Sequence, residues 1–304
     1  MRKKINVVLI LLAIGIFFYP SCDIVEAPYM VENNNTIDTS SVKRKVLIEE
    51  FTGHNCSGCP AAADELSSLQ NVYENRVIGI AIHPTYLASQ LSTFTVPQGS
   101  QGEFSYDFRT KWGDEIGDLI GPLPSGIPLG SVNRVGDLMG SSSSWGAVVQ
   151  EELEKDAIFS IDIISNMISN SGTVSILIEA LEDISEQHNV VICLTESKII
   201  NWQLIEGIGN VDDYEHNHVL RSVINTTLGD PINTSFIDGE TWSEDYAIDI
   251  SLLEQFNINY SNTLPAGNGN AGGWDINNMS VIAYIYNVAN KHIVEVEEIH
   301  LIED

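Results

Sequence analysis

Two cysteines in the first third of this 304-residue chain have the types and the spacing that could carry out redox chemistry. Cys56, Ser57, Gly58 and Cys59 form a Cys-x-x-Cys motif, and Pro60 behind it favours the first turn of a helix. Unpaired amide groups at a helix start, together with the helix dipole, stabilise a thiolate and lower the pKa of a cysteine placed there. We therefore expect Cys56 to be the nucleophile in thiol–disulfide exchange and Cys59 to be the resolving thiol.

The same two cysteines could instead form a bridge that serves only the stability of the fold. Besides Cys22, the chain contains three cysteines, so one intramolecular disulfide is available. The third of them, Cys193, lies in an apolar run, where a free cysteine usually behaves as a small core residue. An exposed redox pair and a structural disulfide between Cys56 and Cys59 both stay open at this point.

Short strands alternate with helices around the motif. An apolar run over 45–51 predicts a buried strand, apolar side chains three and four residues apart predict a helix over 61–75, and 77–82 predicts a second buried strand. Together they form a βαβ unit, whose connection is expected to be right-handed. The same half is predicted to hold an insertion over 84–122 with a helix near 106–120, a strand over 129–135 and a helix near 145–155.

The second half of the chain has the alternation of apolar and polar residues that is typical of strands. Seven candidate strands separated by turn-rich loops predict an antiparallel, immunoglobulin-like (Ig-like) β-sandwich. They cover residues 159–164, 174–180, 190–195, 219–225, 246–250, 281–286 and 293–302. Two long stretches, 206–215 and 257–278, are predicted to be loops.

The N-terminus predicts export and a lipid anchor. A basic start, an apolar stretch and Ser21 directly before Cys22 resemble the cleavage site of bacterial lipoproteins. We therefore predict a signal peptide over 1–21, lipidation of Cys22 that holds the protein on a membrane, and a flexible tether over 22–42. The alternative is ordinary signal cleavage, which would leave Cys22 as a lone thiol.

Composition limits the classes of partner. With 42 Asp and Glu residues against 14 Lys and Arg residues, the formal net charge is −28, which argues against nucleic acid, because phosphate binding requires dense Lys and Arg. One acidic stretch with histidines could hold a divalent metal, but acidic loops are common, so we predict no metal site and no cofactor. The residues of that stretch are Asp212, Asp213, Glu215, His216 and His218.

A buried strand, a Cys-x-x-Cys motif at a helix start and an Ile-Pro pair before a later strand together resemble the thioredoxins. The resemblance implies that Pro128 takes the place of the cis-proline that faces the dithiol. It also implies that Glu50 is the buried acid that accepts the proton of the second thiol; the alternative for Glu50 is an exposed strand charge paired with a lysine. Asn55 stands where thioredoxins usually have Trp, and Ser57-Gly58 replaces their Gly-Pro pair, so the direction of electron flow is not readable.

Residues 45–60 and 128–134, with the lipoprotein signal and the β-rich second half, resemble the outer membrane lipoproteins of Bacteroidetes named after a 28-kilodalton outer membrane protein. That resemblance implies a lipid-anchored location on the outer membrane and a thioredoxin-like domain joined to a sandwich. It implies no particular reaction, and an adhesin-like role has been proposed for such proteins. We predict an α/β thioredoxin-like domain over 43–156, followed by an all-β sandwich (Ig-like) domain over 157–304.

Two hypotheses for function follow. The leading one is thiol–disulfide exchange with an envelope protein, recruited by the β-sandwich. The other is a surface adhesion, scaffold or ligand-binding lipoprotein in which the Cys56–Cys59 disulfide is only structural. An accessible Cys56 favours the first hypothesis, and a buried bridge favours the second.

Overall fold

The structure is a computed structural model, which describes residues 42–99 and 101–302. The predicted signal peptide, Cys22 and nearly all of the predicted tether lie outside the described residues. Within the described ranges, every helix is too short or too polar to span a lipid bilayer. The helices and strands are, in chain order, β1 (Val46–Phe51), α1 (Cys59–Tyr73), β2 (Val77–Ile82), β3 (Tyr86–Leu87), β4 (Gln90–Leu91), α2 (Lys111–Ile120), β5 (Leu129–Val132), α3 (Trp145–Leu153), β6 (Phe159–Ile168), β7 (Ser171–Ala180), β8 (His188–Glu196), β9 (Ile199–Ile205), β10 (Gly209–His216), β11 (Val219–Val223), β12 (Asp230–Pro231), β13 (Thr241–Asp249), α4 (Ile250–Thr263), β14 (Met279–Asn287) and β15 (Ile293–His300).

A mixed sheet of eight strands runs through the middle of the molecule. Its order is β15, β14, β8, β11, β2, β1 and β5, and β12 pairs with β8. The fold is therefore rich in β-structure, and strands from both sides of residue 156 lie in the same sheet. The domain boundary at residue 156, and the division into a thioredoxin-like and an Ig-like part, stay predictions.

The strand β11 joins the two halves of this sheet. On one side it is antiparallel to β8, and on the other it lies parallel to β2, where Val219 pairs with Ala81. The Ala81 amide donates to the His218 carbonyl oxygen at 2.8 Å. Further along, β1 is parallel to β2 over six residue pairs and antiparallel to β5 over four.

A second, three-stranded sheet of β13, β7 and β6 packs against one face of β8 and β14. In β8, Val190, Ile192 and Leu194 belong to the core beneath this sheet, while Val191 and Cys193 belong to the core on the other face. Successive side chains of a strand point to opposite faces, so a continuous apolar run is what a strand covered on both sides requires. Each such side chain, when fully buried, stabilises the fold by about 1.5–3 kcal/mol.

Helices cover both faces of the sheet around β1 and β2. The helices α1 and α3 pack on one face, where Ala62, Leu66 and Trp145 enter the core. The helix α2 packs on the opposite face through Trp112 and Ile116. This packing places the start of α1 at the end of β1, where the Cys-x-x-Cys motif lies.

The helix predicted near 106–120 is shorter than expected. It begins at Lys111, because the Thr110 hydroxyl accepts a hydrogen bond from the Gly113 amide and caps the first turn. The residues before it run as extended chain instead, with Asp107 and Arg109 forming a buried ion pair.

Two predicted loops are also corrected. The stretch 206–215 contains β10, which pairs with β9 to form a hairpin, and the stretch 257–278 begins inside α4. Both segments are polar, so they lack the apolar periodicity that marks a buried element in a sequence. Pairing with β9 stabilises β10, and the Asp249 side chain caps α4.

Candidate functional site

The predicted Cys56–Cys59 disulfide is present in the turn that leads from β1 into α1. The Cys56 amide donates to the Gly53 carbonyl oxygen at 3.2 Å, and the Cys59 amide donates to the Cys56 carbonyl oxygen at 3.3 Å. Each cysteine is only 2% exposed. This conformation therefore holds a shielded bridge instead of an exposed dithiol.

Pro128 lies directly beside the motif. The peptide bond between Ile127 and Pro128 is cis, and the Ile127 carbonyl oxygen is 3.5 Å from the Cys56 Sγ atom. Pro128 also lies close to Gly58 of the motif, because a Cβ atom added to Gly58 would stand 3.7 Å from Pro128 Cδ. The loop before β5 thus covers one side of the disulfide, whereas the role of Pro128 towards a substrate stays a prediction.

Glu50 is buried on β1, on the side that faces the start of α1. It is 2% exposed, and its Oε1 atom has no hydrogen-bond partner among the described residues. Burial raises the pKa of Glu50 to about 7, against the smaller lowering effect of a hydrogen bond from Thr52. The alternative of an exposed charge paired with a lysine is therefore wrong, whereas the predicted part of Glu50 in proton transfer remains untested.

The neighbouring acid, Glu49, points to the opposite face of β1. It accepts a hydrogen bond from Arg134 Nε at 2.9 Å, and both side chains of this ion pair are buried. Arg134 also donates to the Tyr284 hydroxyl at 2.9 Å. This pair lies away from the disulfide, on the side of the sheet where Cys193 is buried as the predicted core residue.

A cavity of about 220 Å³ brings Glu50 and Cys59 together. His83, His216 and His218 line the same cavity. Burial lowers the pKa of His216 to about 3, and burial with the nearby His216 lowers that of His83 well below its ordinary value. The cavity is therefore lined by uncharged imidazoles at neutral pH. His216 and His218 are two residues apart, but His83 comes from a distant position in the chain, so no local motif in the sequence predicts that it meets them.

The side chains of the acidic stretch considered for a metal do not point towards a common site. His216 points inwards, with its Nε2 atom 3.3 Å from the Trp202 carbonyl oxygen, while Asp212 and Asp213 are exposed. Over residues 42–99 and 101–302, no group of three or more His, Cys, Asp or Glu side chains has the arrangement of a metal site.

The β9–β10 hairpin covers another side of the motif. The Leu204 amide donates to the His54 carbonyl oxygen at 2.8 Å, and the Glu206 amide donates to the Ser57 carbonyl oxygen at 3.1 Å. The side chain of Gln203 is buried and donates to the Cys56 carbonyl oxygen at 3.0 Å. The sequence does not predict these contacts, because the two segments are about 150 residues apart and the hairpin itself was expected to be partly a loop.

Residues 124–304 match the family described as outer membrane protein Omp28. The chain belongs to the Omp28 family. The match covers more than half of the chain and confirms the resemblance predicted from residues 128–134 and the β-rich half. Membership in the Omp28 family also confirms the predicted location at the outer membrane, whereas the lipid anchor on Cys22 stays a prediction.

Among solved structures, this Omp28-family chain is similar to HBP35 of Porphyromonas gingivalis, with 16% identity and a TM-score of 0.60 over 86% of this chain and 76% of that one. This likeness shows a shared fold. A protein from Agrobacterium tumefaciens is 15% identical, with a TM-score of 0.49 over 86% of this chain and 97% of its own. A domain of the outer membrane lipoprotein Omp28 from Porphyromonas gingivalis is 18% identical, with a TM-score of 0.30 over 48% of this chain and 88% of that domain. Comparison with curated proteins finds none that matches.

Proposed function

We propose that the Cys56–Cys59 pair exchanges thiols and disulfides with a partner protein of the cell envelope. The observation that carries this proposal is the cavity in which buried Glu50, with a pKa raised to about 7, meets Cys59. A carboxyl group whose pKa lies near the working pH can accept a proton from a thiol and return it. Such an acid, placed beside a disulfide at a helix start, fits an exchanging pair better than an inert bridge.

The proposed exchange is a reversible two-electron reaction between this disulfide and a dithiol of the partner. A partner thiolate attacks the Cys56 sulfur and forms a mixed disulfide, while the Cys59 thiolate leaves and takes up a proton through Glu50. The second partner thiol loses its proton and attacks the partner's own bridged sulfur. This attack releases Cys56 as a thiolate, which takes up the proton that the second thiol has lost. The partner is oxidised to a disulfide, and Cys56 and Cys59 become thiols; the reverse sequence reduces a partner disulfide.

The arrangement around the motif supports a thioredoxin-like organisation of this part of the chain. The strands β1 and β2 are parallel, α1 begins at Cys59, and β5 follows Pro128 and is antiparallel to β1. In this proposal Pro128 holds the extended chain of the partner, and lipid on Cys22 holds the protein at the outer membrane. The Ig-like sandwich, formed by the three-stranded sheet and the strands beneath it, recruits that partner.

A second candidate function is adhesion or scaffolding by a lipoprotein whose disulfide is structural. The observation that favours it is the 2% exposure of both cysteines, because a bridge out of reach of partners cannot exchange.

The reduction potential of the Cys56–Cys59 pair separates these two functions. We would equilibrate the full chain with glutathione or dithiothreitol buffers and trap the free thiols. A potential between about −120 and −270 mV supports exchange, whereas a potential below about −300 mV supports the structural bridge.

A further inference from the structure

We propose that the β9–β10 hairpin is an autoinhibitory strap over the disulfide, which must move aside before a partner protein can exchange with Cys56. This inference rests on the proposed thiol–disulfide exchange and specifies how that exchange is regulated. Two properties of the disulfide site conflict. The surroundings of the bridge suit exchange, yet each sulfur belongs to a residue that is 98% shielded.

The hairpin occupies backbone hydrogen-bond acceptors on both sides of Cys56. The amide of Leu204 on β9 and the amide of Glu206 in the turn that follows it donate to the carbonyl oxygens of His54 and Ser57. These two hydrogen bonds lie on either side of Cys56 in the sequence and hold the hairpin against the motif. The backbone around Cys56 is thus already paired by the chain itself.

One side chain fastens the hairpin to the motif. Gln203 is 3% exposed, and its amide group donates to Cys56 O at 3.0 Å and to Gly53 O at 3.4 Å. Both acceptors lie in the turn that contains the first cysteine. Loss of this amide would remove the direct side-chain link between β9 and the turn.

The hairpin is the cover that can move. Among the described strands, β9 and β10 pair only with each other, and within them only Gln203 and His216 are buried. A two-stranded sheet of this kind is marginally stable by itself, and segments with few buried contacts open at low free energy. The cover on the other side, the loop of Pro128, leads into β5, which is tied into the large sheet.

The test compares how fast dithiothreitol reduces the disulfide in variants of the full chain. Each dithiothreitol dithiol is oxidised to its cyclic disulfide as Cys56 and Cys59 take up two electrons and two protons, and a maleimide reagent traps the thiols over time. We expect the disulfide of Gln203→Ala to be reduced at least five-fold faster than that of the unaltered chain. The equilibrium constant of its reduction by dithiothreitol should change less than two-fold.

The matched control is another glutamine whose amide binds backbone carbonyl groups away from the motif. Gln187 donates to the carbonyl oxygens of His188 at 2.8 Å and Ile232 at 3.2 Å. We expect Gln187→Ala to be reduced at the rate of the unaltered chain.

A second variant keeps the test decisive if Gln203→Ala disturbs the turn. Trp202 contacts Phe104 with ring centroids 6.0 Å apart, and it makes no hydrogen bond to the motif with its side chain. Trp202→Ala loosens the hairpin from outside the site, and we expect the same acceleration. Folded variants that are reduced no faster than the unaltered chain would overturn the strap. Acceleration without any exchange with a protein disulfide would keep the strap and refute the proposed function instead.

Discussion

At the scale of residues, Glu49 and Glu50 show how one strand sends two like residues into different environments. Side chains alternate along β1, so Glu50 faces the cavity beside the disulfide while Glu49 pairs with Arg134 on the other face. The sequence identifies this alternation and the positions of Cys56 and Pro128. It does not identify Gln203, because a contact between residues so far apart leaves no spacing to read.

We expect Glu50→Gln to slow thiol–disulfide exchange at least ten-fold near neutral pH, because an amide cannot accept the thiol proton, and general acid–base groups contribute about 10²–10⁴-fold. The pH profile of the rate should also lose its inflection near pH 7, where Glu50 titrates. Stopped-flow measurement of exchange between pH 5 and 9 checks both effects. Glu74→Gln, at an exposed position, is the control. If Glu50→Gln kept the inflection in its pH–rate profile, the inflection would belong to another titrating group.

We expect Glu49→Gln to lower the free energy of unfolding by about 3–5 kcal/mol, because it leaves the buried Arg134 charge without its partner. Urea denaturation measures this change. The exposed pair between Lys111 and Glu115 provides the comparison, and Lys111→Met should cost less than about 1 kcal/mol. Equal losses at the two sites would contradict the argument from burial.

At the scale of elements, the sequence predicts best those segments whose apolar side chains meet a core. The second buried strand is found at the predicted residues 77–82, and the helix predicted over 61–75 is α1 within two residues at each end. Of the four apolar residues with the predicted spacing, Ala62, Leu66 and Leu69 are buried, whereas Val72 in the last turn is exposed. The hairpin of β9 and β10 was not predicted, since its stability comes from mutual pairing and from contacts with a distant turn.

We expect Thr110→Ala to lower the free energy of unfolding by about 1 kcal/mol, because it removes the side-chain cap of α2. Thr110→Ser keeps the hydroxyl group and should retain most of the stability. Thermal or urea unfolding of the two variants measures the difference. If both lost the same amount, the effect would belong to the methyl group and its packing.

At the scale of the whole molecule, buried acids make stability depend on pH. Burial raises the pKa of Glu295 on β15 from its ordinary 4.5 to about 8. Its contribution to stability is therefore fully present below about pH 4.5 and is lost as the pH rises through 8. Glu50 acts in the same direction. The buried His54 and His216, whose pKa values are lowered from 6.5, act oppositely, with stability lost below pH 6.5.

We expect the free energy of unfolding to fall between about pH 6.5 and 8, where the histidines are already neutral, with a slope of up to about 1.4 kcal/mol per pH unit from Glu295. Glu50 adds to this slope only up to about pH 7. Glu295→Gln should flatten this slope, whereas Glu182→Gln at an exposed position should not. Urea titrations at a series of pH values measure the slope. A profile that keeps its full slope in Glu295→Gln would rule out this residue as its source.

The path of the large sheet is the part of the fold that the sequence predicts least. The junction between β2 and β11 depends on one parallel register pair, Val219 with Ala81, between segments far apart in the chain. No turn connects these strands directly, and their apolar runs are compatible with other neighbours. Only the complete three-dimensional packing selects this order.

The position of β1 inside that sheet also decides how the protein carries a mechanical load. Among the described residues β1 is the first strand in chain order, and it lies between β2 and β5. Tension on the chain from the N-terminal side would therefore act on an interior strand, which cannot be peeled from an edge one hydrogen bond at a time. The hydrogen bonds of β1 to β2 and to β5 must break together. The protein should therefore resist such a pull more strongly than a pull on its exposed hairpins.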